Sequence, residues 1–249
     1  MKNIIVSGCS YSQNCGDIPY PYLIDKKTTS SVTNLAWPGQ GNDSIIRIIN
    51  EQIQQGVTNT LFICQLSYLH RISMFCNTNQ KWIDFQPQFI NQKPDIIDGN
   101  LVHNIYIDTK SQQGGLGTFK LTDGSQLGVT DKVYGELMNW YSTYLSIIYD
   151  EKHRFNSLIE SIDILNYKVD KSGNKILYIY WPHEIDNINE LKNRNFFNID
   201  GEYSMLNWSI KNNLTNPEDS HLSDKGHTKL TELLINEFGL VRQKYTDIL

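Results

Sequence analysis

Short apolar runs alternate with amphipathic stretches along much of the chain. The runs at residues 4–6, 60–64 and 176–180 each stop at a polar or glycine-containing turn, and a shorter run at 34–36 ends before Pro38. Short apolar segments bounded in this way are typical of buried strands in a parallel sheet. The pattern therefore predicts four strands.

The amphipathic stretches predict helices between these strands. One helix follows residues 42–44, which suit an N-cap, and Gly56 ends it; its buried face is marked by isoleucines at 45, 46, 48, 49 and 53. A longer helical pattern covers residues 133–169, and leucines at helical spacing mark a last helix over residues 225–238. Strands that alternate with helices predict an α/β fold with a mainly parallel, doubly wound sheet and helices on both faces.

Three segments are less regular. Residues 11–33 contain a glycine and two prolines, which predict a loop with a short helix begun near Pro21. Residues 77–131 combine aromatic and β-branched stretches with glycine-rich turns, which is typical of an inserted β-rich excursion or lid. The stretch from 182 to 218 is polar and predicts no regular element. We interpret residues 1–249 as one domain with this insertion.

Composition and charge narrow the function classes. The net charge of −5 over 249 residues argues against a general nucleic-acid-binding protein, which usually carries a basic face. No apolar run reaches the length of a membrane span, and the first strand begins too early for a signal peptide. We therefore expect a cytoplasmic protein with no membrane or nucleic-acid partner, and association with a virion is the alternative.

Cysteine and metal-ligand spacing add two expectations. The four cysteines show no paired spacing, so we expect free thiols: Cys9, Cys15, Cys64 and Cys76. Histidine, aspartate and cysteine never reach the spacing of a metal site, so we expect no metal and no other cofactor.

Three polar segments contain the residue types of nucleophilic catalysis. They are residues 7–12 directly after the first strand, residues 34–43, and residues 217–227 before the last helix. A serine hydroxyl becomes a useful nucleophile when a histidine accepts its proton and an acidic residue orients the histidine ring. The first segment supplies a candidate nucleophile, and the last supplies a base and an acid, which predicts the triad Ser10, His221 and Asp219.

The middle segment suits the stabilisation of a developing oxyanion. Gly39 and Gly41 allow backbone N–H groups to approach a reacting carbonyl closely, and the Asn42 side chain can add another donor. Asn42 could instead act as the N-cap of the following helix.

In order and spacing, these segments resemble the SGNH (GDSL-like) hydrolase family. The resemblance rests on Gly8-x-Ser10 after the first strand, on Asn34-Leu-Ala-x-x-Gly39, and on Asp219-x-His221-Leu-Ser-x-x-Gly226-His227. It implies a three-layer, flavodoxin-like α/β sandwich and metal-independent hydrolysis of a small-molecule or carbohydrate ester, often an acetyl group on a sugar. It also implies Ser10 as nucleophile, His221 as base, and the N–H groups of Ser10 and Gly39 as oxyanion donors.

The sequence departs from the family pattern at three positions. The usual Gly-Asp-Ser reads Gly-Cys-Ser, so Cys9 replaces an acid that supports the turn. The third strand ends in Gln-Leu-Ser-Tyr over residues 65–68 where the family has Gly-x-Asn-Asp, so an oxyanion donor is missing, for which Gln65, Ser67 or Asn42 could substitute. The family's acid lies three residues before the histidine, which is Glu218 here. We favour Asp219, because its shorter side chain suits a tight loop.

These departures keep a second hypothesis open. Loss of one oxyanion donor typically lowers the rate by about 10²–10³-fold, so the same fold could serve as a catalytically decayed carbohydrate-binding or virion structural module. Three further residues have two interpretations each. Arg71 could bind an anionic or sugar substrate or form a surface ion pair, His183 could line the pocket or lie in a loop without a role, and His227 is assigned to packing rather than chemistry.

Overall fold

The computed structural model describes the following residues: 2–13, 18–76, 81–85, 95–97, 100–102, 117–120, 126–129, 136, 139–140, 143–148, 150–182, 188–216 and 221–241. The strands are β1 (Asn3–Ser7), β2 (Ser31–Asn34), β3 (Thr60–Leu66), β4 (Ile72–Cys76), β5 (Lys81–Phe85), β6 (Asp95–Ile97), β7 (Asn100–Val102), β8 (Gly117–Lys120), β9 (Gln126–Val129) and β10 (Lys175–Tyr180). The α-helices are α1 (Tyr20–Lys27), α2 (Asn42–Gln54), α3 (Glu151–Lys171), α4 (Ile188–Leu191), α5 (Met205–Lys211) and α6 (Asp224–Glu237), and a π-helix covers Tyr144–Ile148.

Four parallel strands form an open sheet in the order β10-β3-β1-β2. Helices flank this sheet, and two apolar clusters show that both faces are covered. Ile4 and Val6 of β1 pack in a cluster with α1, α5 and α6, whereas Ile5 packs in a second cluster with α2 and α3. The alternation follows from the strand period of two, which turns successive side chains to opposite faces. The predicted α/β class with a mainly parallel sheet is confirmed.

The sheet order brings the ends of two strands together. β1 lies between β2 and β3, and Ser7 at the end of β1 pairs with Cys64 of β3. Ser10 and Ser67 each lie three residues beyond this pair. Because adjacent strands are about 4.8 Å apart, the segments that follow β1 and β3 are neighbours at the carboxyl edge of the sheet.

The second strand lies earlier than the sequence pattern predicts. The apolar run suggested residues 34–36, but Ser31–Asn34 pair with Asn3–Val6 of β1. β2 is an edge strand with half-exposed and exposed side chains, so it needs no continuous apolar run and gives little periodic signal.

Two helical segments also differ from the predicted pattern. The pattern over 133–169 is interrupted, because Asp150 has an extended backbone, accepts a hydrogen bond from His153 N at 2.7 Å and begins α3 as its N-cap. The polar stretch after β10 contains α5, whose N-cap Ser204 accepts a hydrogen bond from Asn207 N at 3.0 Å. α5 spans only seven residues, which is too short for a clear helical period.

The strands from β4 to β9 pair in three antiparallel hairpins: β4 with β5, β6 with β7, and β8 with β9. Most of the predicted insertion, 77–131, lies outside the described residues, and its place over the site stays a prediction. Among the helices of the described residues, none is long and apolar enough to cross a lipid bilayer.

Candidate functional site

The turn that carries Ser10 is held from behind by a buried glutamine. After β1 the chain makes a tight turn in which Ser12 N donates to Cys9 O at 3.0 Å. Gln65 of β3 is fully buried, and its Oε1 accepts from Cys9 N at 3.0 Å and from Ser12 Oγ at 3.3 Å. One side chain of β3 therefore fixes the position of the turn after β1.

Gly8 allows this close approach. A Cβ atom at Gly8 would lie 2.8 Å from Ser12 Oγ and 2.9 Å from both Gln65 Cβ and Gln65 Oε1. Carbon atoms do not approach side chains that closely, so any larger residue would displace the turn or Gln65.

Cys9 and Cys64 are both buried free thiols. Cys9 Sγ donates to Gln65 Oε1 at 3.3 Å, so the Cys9 side chain contributes to the same support of the turn. Burial raises the pKa of the Cys64 thiol, which keeps it protonated. Cys15 and the side chain of Cys76 lie outside the described residues.

A pair of short segments before α6 holds His221. Thr215 pairs with Leu222, and Asn216 N donates to His221 O at 2.6 Å. These contacts join the chain on either side of residues 217–220, which lie outside the described residues. His221 is therefore placed by main-chain pairing.

His221 and Ser10 come together across 211 residues of sequence. His221 Nε2 lies 2.9 Å from Ser10 Oγ, which is hydrogen-bond distance. Ser10 is 6% exposed and His221 is half-buried, so the pair lies at the edge of the core and near solvent. The other ring nitrogen, Nδ1, is withdrawn from solvent.

Two aromatic residues form the wall beside this pair. The Tyr11 ring stacks on Trp181 with centroids 3.4 Å apart, and its other neighbour is the His221 ring at 4.5 Å. Trp181 is fully buried at the end of β10. The stack limits the orientations open to the imidazole. Sequence reasoning missed both aromatic residues, although each directly follows a motif residue or a strand.

The proposed acid lies outside the described residues. Asp219 and Glu218 belong to the segment 217–220, and His183 falls in 183–187. The choice between the two acids, and a role for His183, remain predictions.

The Gly39 loop lies against the Ser10 turn. Asn34 Nδ2 donates to Ser12 O at 2.7 Å, and Trp37 N donates to Gly8 O at 3.0 Å, which joins the two segments. Gly39 is buried with φ of 87°, a conformation that favours glycine. Within the described ranges, the N–H groups of Ser10 and Gly39 donate to no acceptor. Both therefore remain available to a ligand.

Asn42 is not the N-cap that the sequence suggested, and its role as an oxyanion donor stays a prediction. Gly41, not Asn42, is the N-cap of α2. The Asn42 amide instead pairs with the main chain of Ser67: its Oδ1 accepts from Ser67 N at 2.7 Å and its Nδ2 donates to Ser67 O at 3.1 Å. Asn42 therefore fixes the chain after β3, in the way that Gln65 fixes the turn after β1. The Gln65 amide nitrogen donates to Leu66 O at 2.6 Å.

Arg71 is buried, which excludes the surface ion pair considered from sequence. Arg71 is only 5% exposed, and its Nη1 donates to Ser67 Oγ at 2.8 Å. The guanidinium carbon lies 5.3 Å from the centroid of the Tyr68 ring. Within the described part of the chain, no carboxylate forms an ion pair with Arg71.

His227 is a packing residue, as the sequence analysis assigned it. It is 4% exposed, and its Nδ1 accepts from Tyr20 N at 3.3 Å. Burial lowers its pKa to about 4, and proximity to His221 adds to the shift, while Asp224 opposes it. The Tyr20 hydroxyl lies 2.8 Å from Ser12 Oγ, so His227 supports the Ser10 turn indirectly.

The arrangement offers a hydroxyl next to an imidazole, two main-chain N–H groups that donate to no acceptor among the described residues, and a buried guanidinium at the neighbouring strand end. Searched over the described residues, the histidine, cysteine and acidic side chains form no cluster of three that could hold a metal ion. Comparisons with protein-family models and with curated protein sequences find no match to this chain.

Proposed function

We propose that this protein is a serine hydrolase that cleaves an ester, a carbohydrate O-acetyl group being the expected substrate. The single observation that carries the proposal is the 2.9 Å distance between Ser10 Oγ and His221 Nε2. This contact joins two segments 211 residues apart. The resemblance of the three sequence segments to SGNH hydrolases supports the same assignment and, with it, a three-layer arrangement.

The reaction begins with proton transfer from Ser10 to His221. Ser10 Oγ attacks the ester carbonyl carbon while its proton moves to His221 Nε2. The carbon–oxygen bond to the alcohol then breaks, and the departing oxygen takes the proton from Nε2. Water attacks the acyl-serine, again giving its proton to His221. Release of the carboxylic acid returns the proton to Ser10.

His221 can accept this proton only if Nδ1 carries the other hydrogen. A buried Nδ1–H requires an acceptor, and a carboxylate there also stabilises the imidazolium that forms. We assign this role to Asp219, with Glu218 as the alternative. The aromatic stack of Tyr11 and Trp181 against the ring supports the orientation in which Nε2 points to Ser10.

We assign the stabilisation of the oxyanion to two main-chain N–H donors. The N–H groups of Ser10 and Gly39 have no acceptor among the residues that the structure describes, and each lies on a segment fixed by hydrogen bonds to its neighbours. Donors that are already in place stabilise developing charge without reorganisation. The amides of Asn42 and Gln65, considered as a third donor, each donate to a main-chain carbonyl.

The test is hydrolysis of p-nitrophenyl acetate by the full chain and two variants. Ser10→Ala and His221→Ala should each lower kcat by about 10⁴-fold or more, because the members of such a pair act as a unit. Thermal unfolding should change little. Ser161→Ala on α3 and the exposed His153→Ala are the matched controls, and both should keep full activity.

A fluorophosphonate should label Ser10 in the wild-type protein, as mapped by mass spectrometry. Turnover that survives Ser10→Ala would contradict the assignment.

The second candidate is a carbohydrate-binding or virion structural module with a decayed site. The amides of Asn42 and Gln65 are both engaged at the end of β3, where the SGNH family has a free asparagine. This difference favours the second candidate. Such a module would show neither turnover nor labelling of Ser10, although it would keep the same unfolding temperature in all four variants.

A further inference from the structure

Arg71 is a buried cation at the edge of the candidate site, and no carboxylate among the described residues neutralises it. The guanidinium contacts Ser67 Oγ and the Tyr68 ring, which are uncharged groups. Arg71 Nε is buried and has no hydrogen-bond partner among the described residues. A buried charge that lacks both a counter-ion and full hydrogen bonding is costly, so a site of this kind fits an anion that arrives from solution.

The position of Arg71 relative to Ser10 follows from the sheet. Arg71 bonds to Ser67, and Ser67 follows β3 as Ser10 follows β1 in the neighbouring strand. Gly41, two residues beyond Gly39, lies so close to Arg71 that an added Cβ would be 3.0 Å from Arg71 O. Arg71 therefore borders the loop that carries the proposed oxyanion donor.

Tyr11 links Arg71 to His221. Its ring is 4.5 Å from the His221 ring. Burial raises the pKa of the Tyr11 hydroxyl, and Arg71 opposes that shift, so the guanidinium lies within electrostatic range of Tyr11. Tyr11 therefore lies against the candidate base and within the electrostatic reach of the buried cation.

We propose that Arg71 binds a carboxylate on the substrate, so that the preferred ester is the acylated form of a hydroxy acid or of an acidic sugar. The planar guanidinium matches a carboxylate through two parallel hydrogen bonds, for which its terminal nitrogens supply the donors. The inference rests on the proposed function for the reaction, but the binding of the carboxylate is independent of turnover.

The ring of Tyr68 beneath the guanidinium supports this role. The cation–π contact attracts the guanidinium to the ring face, and the Asn42–Ser67 pair fixes the chain from which Arg71 extends. A preorganised cation loses little freedom when it binds an anion.

The test compares esters that differ only in charge. Acetoxyacetate, 3-acetoxypropanoate and 4-acetoxybutanoate place a carboxylate at increasing distance from the acetyl group, and the corresponding primary amides are neutral controls. The wild-type protein should hydrolyse the acetate ester of at least one of these acids with a kcat/KM roughly 10- to 100-fold above that for the acetate ester of the corresponding primary amide. Acetate release is the readout.

Three variants separate specificity from general damage. Arg71→Gln should lower the rate on the carboxylate ester far more than the rate on its amide counterpart, and Arg71→Lys, which keeps the charge without the fork, should keep part of the preference. Arg194→Gln removes an arginine that pairs with Asp163 and Glu190 at the surface, and it should keep the full preference. An equal loss on both esters in Arg71→Gln would overturn the proposal.

Binding without turnover distinguishes the two possible failures. In Ser10→Ala protein, the best carboxylate should raise the unfolding temperature at millimolar concentration and its amide should not; in the Ser10→Ala, Arg71→Gln double variant neither should. If the carboxylate binds through Arg71 but no ester is cleaved by wild-type protein, the hydrolase proposal fails and the anion site stands. If esters are cleaved without preference and no carboxylate binds, the anion site is wrong and the hydrolase stands.

Discussion

The Ser10 turn and the segment from Ser67 to Arg71 follow neighbouring parallel strands, yet they are stabilised in different ways. The Ser10 turn is held by side chains from other segments: Gln65 binds Cys9 and Ser12 from one side, and Asn34 binds Ser12 O from another. The second segment is also fixed at its start, by Asn42, but it ends in a cation with which no carboxylate of the described residues forms an ion pair.

The contrast separates the two tasks of the pocket. A reacting group must be placed accurately before substrate arrives, so the hydroxyl of Ser10 already has its partner at hydrogen-bond distance. A recognition group is completed by the substrate itself, so Arg71 keeps an unsatisfied donor. Each of the following variants should affect one side of the pocket more than the other.

The largest effect is expected from Gly8→Ala. The new Cβ would meet Ser12 Oγ at 2.8 Å and Gln65 at 2.9 Å, so the turn must shift and the Ser10–His221 contact is lost. We expect about 1–3 kcal/mol less stability in urea unfolding and a loss of kcat on p-nitrophenyl acetate of about 10²-fold or more.

Gly41→Ala is the matched change on the arginine side, where the added Cβ would lie 3.0 Å from Arg71 O. It should reduce the preference for the carboxylate ester more than the rate on the neutral one. Equal effects of the two glycine variants on both substrates would show that the Ser10 turn and the Arg71 segment do not have separate tasks.

An intermediate effect is expected at Tyr11, which contacts both sides. Tyr11→Leu removes the ring that packs between Trp181 and His221. We therefore expect kcat to fall by about tenfold, while KM for the neutral acetate ester that carries a primary amide changes little. Tyr11→Phe keeps the ring and should keep kcat within about twofold to threefold.

The pH profile of kcat distinguishes positioning from simple structural damage at Tyr11. A misplaced imidazole should shift the profile of Tyr11→Leu, whereas Tyr11→Phe should give the wild-type profile. Equal rates in the two variants would remove the ring stack from the explanation.

The smallest effect concerns stability in acid. Burial lowers the pKa of His227 behind the Ser10 turn to about 4, and burial together with Arg71 lowers the pKa of His70 to about 4 as well. Because the unfolded chain binds more protons than the folded one in this range, stability should fall as pH drops from about 6.5 towards 4.

His227→Gln isolates one of these two groups. The loss of unfolding free energy between about pH 7 and pH 5 should be roughly 2 kcal/mol smaller in the variant than in the wild-type protein. Urea titrations at the two pH values measure it. If the unfolding free energy depended on pH equally in both proteins, His227 would be protonated in the folded state.

The elements with strong periodicity were predictable. Continuous apolar residues at 4–6, 60–64 and 176–180 can only be buried in strands, and the isoleucine face of α2 needs the sheet to cover it. Elements that depend on their neighbours were not. β2 is polar and pairs with β1 at an edge, and α5 is held by the Ser204 cap and by packing of Trp208 in the core.

The candidate site divides in the same way. Ser10 and His221 were found because their chemistry requires particular residue types in short motifs. Gln65 was considered only as a donor to an oxyanion, and Asn42 only as such a donor or as an N-cap, since a sequence does not show that a buried amide will meet a main-chain group from another segment. The surface ion pair considered for Arg71 was wrong for the same reason: burial depends on the strands around it.

By itself, the sequence determined the strongly periodic strands and helices and the residues that could carry acyl transfer, because local periodicity and functional-group chemistry act over short stretches. The tertiary structure alone decided that an alcohol and an imidazole 211 positions apart lie 2.9 Å from each other, and that a guanidinium is enclosed beside them without a carboxylate from the described residues. Both depend on strand order, which brings distant segments to one edge of the sheet and removes them from water.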